Sequence, residues 1–317
     1  MRPTPVPARL HRLPRAWAPL ACLALLCSAV ACDNDQDLPP ALRNPRSPAA
    51  SATPVIPVVA TVYPLADLIR TVGGRHVEVV WLVETGQSIE GYEPSREQLE
   101  RFFKAAIVAS GGTGEEFVTR YFTDGGFNDR RLIRLDAFAP PESRGARQQW
   151  LDPRVARATL AAAAQKLAVI RPEARAEFEA HATAATRVID SLIDDHETRL
   201  SGLSGRTVAA VGRDYAPLGR FAGCNVVKVS DRSAVQLDPE RARAVGKAVI
   251  DAGAILLLVE ADTPPAVLRA LQAQMPVPVV TIDSLGSSSS VGRNTYDALM
   301  RYNFQQLYDG WRRAMSR

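Results

Sequence analysis

The side chains best suited to chemistry are few, and their spacing excludes more than it offers. The 317-residue chain holds four histidines and four cysteines. Two imidazoles share a metal when they stand at i and i+4 on one helical face. His181 and His196 lie too far apart on one predicted helix for that. His11 falls in the N-terminal leader, and His76 opens a predicted strand, where a solvated position is expected. Cys224 has no histidine near it in sequence and reads as a small buried apolar residue. No G-x-S-x-G surrounds a serine. Gly111-Gly112-Thr113-Gly114 stands between a predicted strand and helix but lacks the G-K-[ST] ending of a phosphate loop, so it reads as a turn. Ser287–Ser290 reads as a loop. Without an assembled nucleophile, base and oxyanion donor, no enzyme is expected.

The elements that position side chains follow from the apolar pattern. Strands are expected near 58–62, 77–83, 106–110 and 132–135, then again at 207–211, 226–229, 255–259 and 279–282. Helices are expected to begin near Pro64, Ser95, Glu115 and Pro153, and in the second half near Pro217, Pro239, Pro264 and Asn294. Strand alternating with helix predicts parallel sheets, hence an α/β fold of two Rossmann-like lobes. Ser95 and Gln98 have capping-box spacing, and Asp152 and Asp238 each precede a proline, as N-caps do. From Pro172 to Leu200 no glycine or proline interrupts a helical pattern carried by Phe178, Ala182, Ala185, Ile189, Leu192 and Ile193. A continuous helix there would span about 43 Å.

The first 31 residues carry Arg2, Arg9, Arg12 and Arg15, then an apolar run from Ala16 to Val30, the pattern of a secretory signal. Ala29-Val30-Ala31-Cys32 resembles a bacterial lipobox, which predicts acylation of Cys32 and attachment to a membrane of the cell envelope. The four leader arginines account for the whole formal charge of +4, so the mature chain has no electrostatic case for a nucleic-acid partner. Once the leader is cleaved and Cys32 acylated, Cys224 alone remains, which forbids an intramolecular disulfide. Residues 32–57, rich in Pro, Asp, Ser and Ala, read as the lipidated cysteine and a flexible tether. An N-terminal lobe at 58–171, a linking helix at 172–204 and a C-terminal lobe at 205–317 complete the expected organisation.

Several stretches in order resemble one family. The segment 58–112 contains Tyr63-Pro64-Leu65-Ala66-Asp67-Leu68, a Val-Glu-Val strand and Gly91-Tyr92-Glu93-Pro94. Further on come Trp150-Leu151-Asp152-Pro153, Val259-Glu260, Thr281-Ile282-Asp283-Ser284-Leu285-Gly286 and Leu299-Met300-Arg301-Tyr302-Asn303. The chain resembles the zinc and manganese receptors of ABC importers. That resemblance implies two α/β lobes joined by one rigid helix, a metal captured between the lobes, a monomer, and a cognate membrane permease as partner.

It also implies where the ligands belong. The family's three usual imidazole positions fall on Glu90, Gln148 and Tyr215, and its usual carboxylate on Asp283. Tyr92, Glu93, Glu260 and Asp214 are neighbouring or substitute ligands on the same reasoning. An all-oxygen set is poor for zinc and better for harder ions such as Mn²⁺, with a phenolate from Tyr215 suiting ferric iron, so Mn, Fe and Zn all stay open. Two further readings stay open beside a cation site: a non-metal ligand in the same cleft, and a degenerate site in a lipoprotein serving adhesion or assembly.

Overall fold

Ile56–Val62 (β1) is almost wholly apolar and buried on both faces, as a central parallel strand must be. The computed structural model describes residues 54–121 and 129–316. The predicted leader 1–31, Cys32 and nearly all of the tether lie outside the described residues; the last tether positions already enter β1.

After β1 come Tyr63–Gly73 (α1), Val77–Val83 (β2), Arg96–Lys104 (α2), Ile107–Ser110 (β3), Glu116–Thr119 (α3), Leu132–Arg134 (β4) and Pro153–Ile170 (α4). The strands form a parallel sheet ordered β2-β1-β3-β4, with Val58 aligned to Val79 on one side and to Ile107 on the other. The second lobe holds Thr207–Val211 (β5), Ala216–Ala222 (α6), Asn225–Ser230 (β6), Pro239–Asp251 (α7), Leu257–Glu260 (β7), Pro265–Gln272 (α8), Val279–Ile282 (β8) and Tyr296–Met315 (α9). Its sheet repeats the order as β6-β5-β7-β8, also parallel. Between the lobes runs Arg175–Leu200, labelled α5 although it precedes β5 to β8.

The expected caps are present. Ser95 accepts from the Gln98 amide while Gln98 returns the bond, and Asp152 and Asp238 accept from the Arg154 and Arg241 amides. Some boundaries differ. The long helix is flanked by 3₁₀ turns at Pro172–Ala174 and Ser201–Leu203, so the α-helix proper is 26 residues, about 39 Å. The helix expected from Glu115 is α-helical over Glu116–Thr119, and the Glu115 side chain turns inward instead of capping it.

Helix α5 packs on α1 and α4 of the first lobe and on α9 of the second. Its buried face, Phe178, Ile189, Leu192 and Leu200, therefore belongs to one apolar core that continues from β1 through α4 to β5, β8 and α9. Each fully buried side chain of this size contributes about 1.5–3 kcal/mol. A core shared by both lobes resists hinge bending, since opening would expose it. Among the described residues no helix is long and apolar enough to cross a membrane.

The three described histidines hold structural contacts. His196 lies buried against Phe304 with ring centroids 4.9 Å apart, and His181 Nδ1 is 3.0 Å from the Val72 carbonyl oxygen. His76 is not the solvated residue its position suggested. It sits between Glu177 and Arg171, 3.0 Å from each, because α5 folds back over the start of β2. Cys224 is half-buried, and burial raises its thiol to about 11.

Candidate functional site in the interlobe cleft

In both sheets the order reverses between two central strands, β1 and β3 in one lobe, β5 and β7 in the other. Chains leave such strand pairs in opposite directions, which opens a crevice at their carboxyl ends. The expected ligands are found at these ends and on the loops that follow.

Glu90 lies on the loop after β2. Ser88 Oγ donates to its Oε2 at 3.0 Å, and Arg147 Nη1 donates to Oε1 at 3.2 Å. Burial raises the carboxyl, but its own backbone amide, Ser88, Arg213 and Arg147 outweigh that and hold it below the usual range.

Residues 147–152 form a loop pinned to the second lobe. The Arg147 amide donates to Asp214 Oδ2 at 2.8 Å, Arg220 reaches Gln149 and Asp152, and the Trp150 indole donates to the Ser284 carbonyl at 2.7 Å. Within it, Gln148 adopts φ 55° and ψ 43°, the left-handed region, and among the described residues no other non-glycine residue has positive φ. Its side chain is buried with neither amide atom hydrogen-bonded. Backbone strain and two unpaired polar atoms at one position are each unfavourable, and such positions gather at binding sites.

Tyr215 is fully buried at the start of α6 and donates to Glu260 Oε1 at 2.8 Å. Burial first, then the Glu260 charge, raise its hydroxyl well above the usual tyrosine range, so it is held as a neutral phenol. Glu260 ends β7. Burial, with a smaller push from the Asp283 charge, lifts its carboxyl to about 7, although Arg213, Ser284 and Tyr215 favour the charged form. Asp283 directly follows β8 and both its oxygens are engaged: Oδ1 accepts from the Leu285 and Gly286 amides at 3.1 and 2.7 Å, and Oδ2 from Arg293 at 2.8 Å.

The neighbouring candidates have local duties. Tyr92 Oη lies 2.7 Å from the Leu82 carbonyl and 2.9 Å from Gln98 Oε1, fastening the loop to α2. Glu93 pairs with Arg120 on the surface. Asp214 accepts from the Ala216 and Arg147 amides.

The sequence pattern did not single out the cations. Arg213, after β5, places Nε 3.5 Å from Glu260 and Nη1 4.0 Å from Glu90. Glu90, Glu260 and Asp283 thus each stand beside a guanidinium: Glu90 beside Arg147 and Arg213, Glu260 beside Arg213, Asp283 beside Arg293. A cavity of about 460 Å³ lined by Glu90, Arg147, Arg213, Lys228, Glu260 and Asp262 opens beside them. Among the described residues, no three His, Cys, Asp or Glu side chains converge closely enough to hold a metal ion. A cargo cation could take these carboxylates only by displacing arginine. Glu115 was also missed. It is buried at the other switch point, accepting from Thr61 Oγ1 at 2.8 Å, Ser110 Oγ at 2.5 Å and the Gly111 amide at 3.0 Å.

Two α/β lobes with parallel sheets, a shared helical spine and a cleft at the strand ends define a two-lobed substrate-binding receptor. The chain belongs to the family described as ZnuA, zinc-uptake complex component A, periplasmic, whose profile matches residues 58–310. Proteins of this family are metal-binding components of ABC transporters, periplasmic or extracellular, and the chain is a receptor rather than an enzyme. Among solved structures it is similar to Zn(II)-bound AdcA from Streptococcus pneumoniae, with TM-score 0.70 and 18% identity, covering 81% of this chain and 58% of that one. The chain thus spans little more than half of that relative. Over the ZnuA-like domain of the same protein the match has TM-score 0.69 and 19% identity, covering 81% of this chain and 99% of the domain. The periplasmic zinc-binding protein TroA from Treponema pallidum matches with TM-score 0.65 and 15% identity, over 80% of this chain and 98% of that one. At these identities the likeness is one of fold. No curated protein matches by sequence.

Proposed function

We propose that this chain is the extracytoplasmic receptor of a metal-ion ABC importer, which takes up a divalent cation in the interlobe cleft and presents it to a membrane permease. In this reading it acts as a monomer held at the envelope through acylated Cys32. Family membership supports the class. The observation that carries the site is the meeting of Glu90 from one lobe with Glu260 from the other across a common cavity, also lined by Arg147, the chain neighbour of the strained and unpaired Gln148.

The ligands in this proposal are Glu90, Glu260, Asp283 and the Gln148 side-chain carbonyl oxygen; they do not converge while Arg147, Arg213 and Arg293 hold the carboxylates, so cargo must draw them together as it expels the arginines. Tyr215, held as a phenol, orients Glu260 instead of binding as a phenolate, which removes the main support for ferric iron. Carboxylates with an amide oxygen suit a harder divalent ion, so Mn²⁺ is favoured over Zn²⁺. The solved relatives AdcA and TroA are described as a Zn(II)-bound and a zinc-binding protein, and zinc is the natural competitor to test.

Purified protein is stripped with chelator, reloaded with Mn, Fe, Zn or Ca in turn, and its metal content measured by mass spectrometry. One equivalent of a divalent ion, lost in the Glu90→Ala/Asp283→Ala double variant, is the expected result. No retained ion, and no thermal stabilisation by any of them, would sink the metal reading.

A further inference from the structure

Arg213 occupies an unusual place. It belongs to the second lobe, on the loop between β5 and α6, yet Nη2 donates to the Gln87 carbonyl of the first lobe at 2.7 Å. Its Nη1 is 4.0 Å from Glu90 Oε2 and its Nε 3.5 Å from Glu260 Oε1. The side chain is only 11% exposed. One tethered positive charge therefore bridges two carboxylates from opposite lobes and fastens the lobes together through a backbone carbonyl.

We infer that Arg213 is a built-in cation standing where the cargo ion must go, and that it sets which cargo the cleft accepts by competing for Glu90 and Glu260. This rests on the cation-cargo reading above. The physical reason is exclusion. A divalent ion cannot share these carboxylates with a guanidinium a few ångströms away, because like charges at that spacing in a partly dry cleft repel strongly and salt screens them little. Cargo must therefore expel the guanidinium, and that cost is subtracted from its affinity. An ion entering with weak, long contacts loses to Arg213; one that draws both carboxylates and the Gln148 carbonyl inward wins.

Arg147 differs. It touches only Glu90 among the cleft carboxylates, its side chain is 38% exposed, and its hold on the second lobe runs through its backbone amide. Removing its guanidinium leaves the bridging cation in place, so it serves as the control.

The test is titration of the metal-stripped protein with Mn²⁺ and with Zn²⁺, each alone, in competition with a fluorescent chelator. Arg213→Met is expected to bind the preferred ion at least tenfold more tightly than the natural protein. Arg213→Lys, which keeps a positive charge, should stay within about threefold of it, and Arg147→Met should gain less than Arg213→Met. If Arg213→Met does not fold, Arg213→Gln, which keeps an amide donor for the Gln87 carbonyl, gives the same readout. A purely structural role for Arg213 would lower the affinity of the Arg213 variants, or leave it unchanged, and either result overturns the inference while the receptor reading stands. Binding by Arg213→Met alone supports the inference and overturns the reading that the natural protein carries a bare ion. No binding by any of them overturns both.

Discussion

Tyr215 donates a 2.8 Å hydrogen bond to Glu260 Oε1 from a fully buried position at the start of α6. The residue to which the family resemblance assigns an imidazole position therefore serves a carboxylate. Tyr215→Phe removes that donor and leaves Glu260 with the more distant Ser284 amide and Arg213. The expected cost is about 1.5–3 kcal/mol when Glu260 is charged, as for a hydrogen bond to an ionised group. It should shrink at pH 5, where Glu260 is protonated. Urea unfolding at pH 5 and pH 8 checks both the size and the pH dependence.

Gln148 should show opposite effects on stability and binding. Gln148→Gly removes two unpaired buried polar atoms and relaxes a backbone at φ 55°. The metal-free protein is expected to gain about 1 kcal/mol, since strained functional positions are held at the expense of stability. Cargo affinity should fall about tenfold with loss of the proposed carbonyl ligand. A thermal melt of the stripped protein and the chelator competition measure the two separately; a loss of stability would show that the buried amide has a partner in solution.

Stability should decline as pH rises from 5 to 8. Burial pushes Glu115 to about 7, even with donors from Ser110, Thr61 and the Gly111 backbone, and Glu260 shifts in the same sense. A carboxyl whose folded pKa lies above its unfolded value near 4.5 holds its proton more tightly when folded. Its contribution is complete below that lower value and is lost as pH climbs through 7. The loss is up to about 3 kcal/mol for a group shifted this far. Glu115→Gln should flatten its share of the slope, measured as unfolding free energy against pH.

Trp150 joins the lobes as well as filling the core. Its indole donates to the Ser284 carbonyl, and the Trp150 carbonyl accepts from Tyr296 Oη, both at 2.7 Å. Trp150→Ala should cost about 3–5 kcal/mol, the range for emptying a site of this size. Because one core runs through both lobes, calorimetry is expected to show a single transition shifted downwards; two resolved transitions would mean that the lobes unfold independently.

Much of this architecture is legible along the chain, because its determinants are local. The apolar run of β1, the Ser95–Gln98 capping box, the Asp152-Pro153 start and the uninterrupted pattern of α5 each act within a few residues, where strand period, helix period and capping geometry are set. Order and spacing then suffice for two parallel lobes on a helical spine. Placing Glu90, Tyr215 and Asp283 on loops at the ends of β2, β5 and β8 needed only the family resemblance, and the structure puts them there.

What those side chains touch was decided only by the tertiary fold. His76 reads as solvated until α5 lays Glu177 over it and the end of α4 brings up Arg171. That Tyr215 donates to Glu260 from a buried position is visible only once the second lobe has packed. Arg213 resembles any loop arginine until closure of the lobes sets it between Glu90 and Glu260, residues far from it in sequence. A guanidinium on a long flexible stem carries no local sign of its partner. Its place follows from which carboxylates the packed lobes leave within reach and from the cost of burying any of these charges alone.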